Sequence, residues 1–150
     1  MANQLTRKGV ETLLELASGG STSAGESGIA FAATKIILMH SSSTPTSNPT
    51  DATFGAIGAG GKDFFEVATG NGYTAGGNAI DETNWAYDAA NGRITLDDYT
   101  WTASGGTIAG IAGAFLANAA DEVLGYWERT ALTLADGESF TLDSLTITIA

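Results

Sequence analysis

The sequence contains no cysteine, two prolines, one histidine and six basic residues. Without thiols there are no disulfides and no thiolate metal sites, and the compartment is left open. Six scattered cations against seventeen acids give a net charge of −11. Such a chain has no basic stripe with which to displace counterions from phosphates, so no nucleic-acid partner is expected. Apolar runs are short. None approaches the ~20 residues of a membrane span, none near Met1 reads as a signal peptide, and Met1-Ala2 is not a myristoylation start. No membrane contact is expected, and the chain reads as made in a cytoplasm and soluble until something captures it.

What remains is a chain of 150 residues that is 43% apolar and only 15% charged. The length suits one domain with a real core. Charge is well below the ~25% usual in soluble domains, and Gly, Ala, Ser and Thr fill the gap. Such a surface costs little to desolvate and suits packing against other proteins. A turn-rich β protein built from small residues has the same composition. The acidic excess suits a basic partner, or simply keeps free subunits soluble and apart.

Residues 4–18 read as an amphipathic helix. Thr6 is placed to cap it, Val10, Leu13, Leu14 and Ala17 fall on one stripe, and Gly19-Gly20 stops it. A helix this short needs a surface for its stripe. Ser18 to Gly28 has the composition of a flexible spacer, which reads as an arm reaching away from the domain; folding back onto it is the other option. The division is therefore an N-terminal helix and arm over 1–28 and a β domain over 29–150.

Ile29 to His40 reads as a buried strand, in which Ile36-Ile37-Leu38-Met39 is a continuous apolar run. A long loop from Ser41 to Gly61 holds both prolines, and Phe64-Phe65-Glu66-Val67 leads into a turn with four glycines between Gly70 and Gly77. Beyond it the pattern is strand and turn throughout. Asn91-Gly92 predicts a tight type I′ hairpin. Thr107 to Asn118 is read as a central strand because its two internal glycines are costly in a helix. Val123 to Arg129 places Tyr126 and Trp127 on opposite faces, and Ser139–Leu142 with Leu145–Ile149 reads as a terminal hairpin around Asp143-Ser144. The fold class is all-β, a β-sandwich or jelly-roll-like domain of about eight short strands.

No motif carries convincing chemistry. His40 precedes Ser41-Ser42-Ser43, but neighbours on an extended strand point to opposite faces, and no Gly-x-Ser-x-Gly elbow exists. The acid pairs Asp81-Glu82, Asp97-Asp98, Asp121-Glu122 and Asp136 with Glu138 sit where Asp favours turns. Paired glycosidase carboxylates or a structural calcium at Asp97-Asp98 are the functional options, and no EF-hand spacing is present. Gly70-Asn71-Gly72 begins like a dinucleotide fingerprint, but the third glycine misses its offset and a strand follows. Trp85, Trp101 and Trp127 with Tyr73, Tyr87, Tyr99 and Tyr126 are either core residues or a carbohydrate-binding face. No catalytic residue, cofactor or metal is expected.

Glu66-Val67, then Gly70-Asn71-Gly72-Tyr73-Thr74-Ala75-Gly76-Gly77, then Tyr87-Asp88-Ala89-Ala90-Asn91-Gly92, Ile94-Thr95-Leu96-Asp97, Trp101 and Leu124-Gly125-Tyr126 occur in that order. This series resembles small structural proteins of tailed-bacteriophage virions, the capsid decoration (cement) or head-fibre-like group. The resemblance covers about residues 64–150 with the Lys35–Met39 strand, and its most specific part is Gly-Tyr-Thr-Ala-Gly-Gly. It implies a non-enzymatic virion component, made in a bacterial host and carried on the capsid exterior. The implied partner is the major capsid protein, and the implied state is a homo-oligomer, for which a trimer suits threefold positions. Val10, Leu13 and Leu14 would be the anchoring face. A tail, adaptor or fibre-base station uses the same fold, and the N-terminal extension departs from shorter members of the group.

Overall fold

The computed structural model describes residues 2–6, 33–88, 90, 93–143 and 145–148. Twelve strands run in chain order: β1 (Ala2–Leu5), β2 (Lys35–His40), β3 (Gly55–Ala56), β4 (Phe65–Glu66), β5 (Asn78–Ala79), β6 (Trp85–Asp88), β7 (Arg93–Leu96), β8 (Tyr99–Thr102), β9 (Ile108–Ala117), β10 (Val123–Leu134), β11 (Ser139–Leu142) and β12 (Leu145–Thr148). A single 3₁₀ turn at Glu82–Asn84 is the helical element among the described residues. The chain is all-β there.

Seven strands form one sheet in the order β1-β10-β9-β2-β4-β3, with β5 also paired to β2. All pairs are antiparallel except β3 with β4. The unbroken apolar run of β2 is explained by its place: Ile36, Ile37, Leu38 and Met39 are fully buried, alternately on the two faces of a sheet covered on both sides. β9 is central, between β10 and β2, as its glycines suggested. At Gly113 φ is +136°, and a Cβ there would stand 1.8 Å from the Trp127 carbonyl oxygen. Glycine is the residue that lets β9 and β10 close up at this point. β10 runs on past the expected end at Arg129 to Leu134. It is bulged against β9, with Glu128 opposite Gly113 but Leu132 opposite Ile111. Tyr126 and Trp127 do face opposite sides.

The remaining strands cover one face. The expected terminal hairpin does not form: β11 pairs with β8, and β12 pairs with β7. Ser139 lies opposite Thr102, Leu142 opposite Tyr99, Leu145 opposite Leu96 and Thr148 opposite Arg93, so one antiparallel register runs through both pairs. The two pairs are interrupted at Asp97-Asp98 on one side and between Leu142 and Leu145 on the other, and together they form a long bent ribbon. The bend shifts the alternation so that Leu96, Trp101, Phe140, Leu142 and Leu145 all turn inward, whereas a hairpin at Asp143 would leave β7 and β8 unpaired on that side. Outside stand cross-strand hydroxyl pairs: Thr95 with Thr146 at 3.1 Å, Thr100 with Thr141 at 2.8 Å and Thr102 with Ser139 at 2.7 Å. β6 pairs with β7 from the other side. Asp88 lies opposite Arg93, and Asn91-Gly92, expected as a type I′ turn, lies outside the described residues.

The other face is covered by residues 41–64. Phe54 and Phe64 lie against Phe115 with ring centroids 5.1 and 5.9 Å apart, and Phe64 meets Tyr126 at 5.4 Å. The chain start also differs from expectation. Gln4 and Leu5, placed in a helix by pattern, belong to β1, which pairs with Gly125–Glu128 of β10. Burying the edge of β10 outweighs the local helical pattern at these residues. Thr6 is fully buried; its amide and hydroxyl both donate to the Leu124 carbonyl, at 2.9 and 3.1 Å, and its hydroxyl also meets the Val123 carbonyl. The rest of the expected helix, the Ser18–Gly28 spacer and the anchoring residues Val10, Leu13 and Leu14 lie outside the described residues.

Candidate functional site

The chemistry-bearing residues are gathered around the Gly-rich turn between β4 and β5. Glu66, at the end of β4, is buried, which a carboxylate tolerates only with donors around it. It accepts the Tyr73 hydroxyl at 2.7 Å and the Gly76 amide at 2.6 Å. The Tyr73 oxygen in turn accepts the Leu38 amide of β2 at 3.3 Å. Burial first, and then the adjacent Glu66 carboxylate, hold the Tyr73 hydroxyl protonated far above the usual tyrosine range. Gly77 completes the lock. Its φ is +66°, and a Cβ would sit 2.4 Å from the Ile36 carbonyl oxygen. The turn therefore closes on β2 through one carboxylate, one phenol and one bare backbone. Sequence reasoning marked the turn but missed the Glu66–Tyr73 pair. The signal was available only as an acid and an aromatic bracketing a glycine run, which no periodicity reports.

Beside this turn lies a surface cleft of about 270 Å³, lined by His40, Ile57, Thr69, Asn71 and Thr107 among others. Its polar groups serve the protein itself. His40 Nδ1 accepts the Ser42 amide at 3.1 Å, and the ring lies over Gly110, where a Cβ would meet it at 2.5 Å. With Nδ1 accepting, the neutral ring carries its proton on Nε2. Ser43 instead bonds the Phe65 backbone, its Oγ accepting the amide at 2.9 Å. The histidine and the serines thus end a strand and fasten a loop. Asn71 Nδ2 donates to the Thr107 carbonyl at 2.6 Å, and Thr69 Oγ1 accepts the Ala75 amide at 2.9 Å. Ile57, 45% exposed at the rim, is the large exposed apolar side chain among the described residues.

The acid pairs are dispersed. Asp81 accepts the Thr83 amide at 2.8 Å and its hydroxyl at 2.6 Å, which hold its carboxyl below the usual range. Asp121 pairs with Lys35 across the β2 and β9–β10 ends, and Glu122 accepts Asn118 Nδ2 at 2.7 Å. Asp136 accepts the Gly105 amide at 2.8 Å and Glu138 the Ala135 amide at 2.7 Å. Asp97 and Asp98 are exposed at the ribbon bend. Among the described residues no group of three or more His, Asp and Glu is arranged to hold a metal ion. No helix among them is long and apolar enough to cross a membrane.

Trp101 and Trp127 are buried in the main core, and Trp85 packs against it half-buried. Trp101 stacks on Phe140 at 5.9 Å, with the Arg129 guanidinium 4.9 Å over the other ring. A carbohydrate platform needs exposed, coplanar rings, and these rings are spent on packing. No family model, curated protein or solved structure matches this chain.

Proposed function

We propose that the protein is a virion structural subunit of a tailed bacteriophage, a capsid decoration protein that docks on the outside of the major capsid shell. In this reading residues 29–150 form a β-sandwich, the bent ribbon against one face of the large sheet, and the stretch between β1 and β2 is the anchoring element that carries Val10, Leu13 and Leu14. The observation that carries the reading is the use of the Gly-rich turn. The residues that bear the resemblance, Glu66, Tyr73, Gly76 and Gly77, bond one another or press on β2. They are architecture, as expected for a group related by fold and station rather than by a reaction.

The surface agrees with that role. The outer face of the ribbon offers paired hydroxyls, which are cheap to desolvate, while the net charge of −11 keeps free subunits apart. Many weak contacts repeated by symmetry then stabilise a shell by avidity. The test is the copy number of this chain in purified particles, by quantitative mass spectrometry against the major capsid protein. A number comparable with the capsid subunit's supports decoration. A number fitting a vertex or tail complement moves the protein to an adaptor or fibre-base station, and absence from particles ends both readings.

A further inference from the structure

β1 occupies the outer edge of β10, and its connection to the rest of the domain is long. Between Thr6 and Ala33 run residues 7–32, whose full extension is ~85 Å. The step they must bridge, from the β1 position to β2 across β10 and β9, is three strand spacings, about 14 Å. The edge that β1 fills is specific. Four register pairs join Ala2–Leu5 to Gly125–Glu128, and the buried Thr6 bonds the carbonyls of Val123 and Leu124. The same β10 segment carries Val123, Leu124, Tyr126 and Trp127 into the two cores, so an unfilled edge would leave main-chain donors and acceptors beside buried side chains.

From this geometry we infer that β1 is an exchangeable strand, and that the segment Ala2–Thr6 of one copy fills the β10 edge of a second copy when copies are crowded. The contacts made within one chain and between chains are identical, so only the tether decides between them. A tether of this length, with the spacer composition of Ser18 to Gly28, holds its own strand at an effective concentration of order millimolar. Dilute protein therefore closes on itself. Copies held side by side at millimolar local density exchange strands at no cost in contacts, and the mutual repulsion of acidic chains is the opposing term, weakened by salt. The use of this exchange to tie neighbours together on a shell rests on the virion reading; the exchange itself does not.

The absence of cysteine makes the test clean. Ala2 lies opposite Glu128, a pairing that a disulfide can bridge. The double variant Ala2→Cys/Glu128→Cys, oxidised when dilute, is expected to close within one chain and calibrates the geometry. Two single variants, Ala2→Cys and a size-tagged Glu128→Cys, are then mixed, incubated and oxidised over a concentration series up to millimolar. The expected result is a tagged–untagged disulfide that is scarce at micromolar protein and approaches half of the chains near millimolar. Its absence throughout, with the double variant closing normally, overturns the exchange. Failure of the double variant to close at all overturns the pairing on which it stands. The readout uses purified protein only, so it separates from the copy-number test of the virion reading.

Discussion

The ribbon that covers one face of the seven-stranded sheet is regular, and the segment 41–64 that covers the other is not. On the ribbon side, Leu96, Trp101, Phe140, Leu142 and Leu145 enter the core from strands that share one register. On the loop side, Phe54 and Phe64 are inserted from a segment with two residues of strand, Gly55–Ala56. Polar bonds position that segment: Thr44 donates to the Asp63 carbonyl at 2.8 Å, Phe54 to the Asp121 carbonyl at 3.1 Å, and Val123 to the Ala52 carbonyl at 2.8 Å. Lys62 pairs with Asp51 at 2.7 Å. The ribbon is ordered by its ladder and its alternation, so burial and register support each other. The loop has a ladder of two residues, β3 on β4, so two aromatic anchors and a set of discrete bonds must do most of the same task.

The contrast can be broken most severely at the sheet both covers share. Gly113→Ala puts a methyl against the Trp127 carbonyl at a positive φ, and should cost roughly 3 kcal/mol or more, read as a lower denaturation midpoint with both cores loosened together. Next come matched truncations. Phe140→Ala on the ribbon side and Phe64→Ala on the loop side each remove a buried ring, at about 3–5 kcal/mol. Hydrogen exchange should tell them apart. The Phe140 variant should lose protection across the ribbon and the large sheet as one unit, while the Phe64 variant should lose it first in residues 41–63. Equal, uniform loss in both would mean that the loop is as cooperative as the ribbon.

A smaller effect is expected at the Gly-rich turn. Glu66→Ala leaves the Tyr73 hydroxyl and the Gly76 amide without their acceptor in a buried place, which should cost about 2–3 kcal/mol; Glu66→Gln, which keeps an acceptor oxygen, should recover part of it. The smallest effect is on pH dependence of the loop. The Lys62 hydrogen bond, with those of Thr53, pulls the Asp51 carboxyl from 3.8 down to about 2. A lowered carboxylate contributes stability above its unfolded value and loses it as pH falls from about 4 towards 2. Exchange of loop amides should therefore rise over that interval while the ribbon stays protected, and Lys62→Met should flatten the response.

Several features were legible because they are local. The continuous run Ile36–Met39 requires burial on both faces, and β2 has it. The opposite facing of Tyr126 and Trp127 follows from the two-residue period of a strand. The glycines of β9 argued against a helix, and one of them proved to be where two backbones meet. Other features depended on partners far along the chain. Ser139–Leu142 and Leu145–Ile149 look like a hairpin because Asp-Ser between two apolar segments is a turn signal. The same residues serve a bend when a matching ribbon, Arg93–Thr102, is waiting with the same irregularity. Gln4 and Leu5 fit a helical stripe, yet β10 has an edge that needs filling. The Glu66–Tyr73 lock was invisible because hydrogen bonding between non-periodic residues leaves no pattern.

By itself the sequence determined the class of the protein: alternation and turn residues make strands, and the lack of thiols leaves packing as the main source of stability. Which strand lies beside which was decided by the tertiary structure. Strand pairing is non-local, and the free energy that selects a partner comes from apolar area buried when two distant segments share a face. That is why β11 and β12 find β8 and β7 rather than each other, and why the first residues of the chain complete the far edge of the sheet.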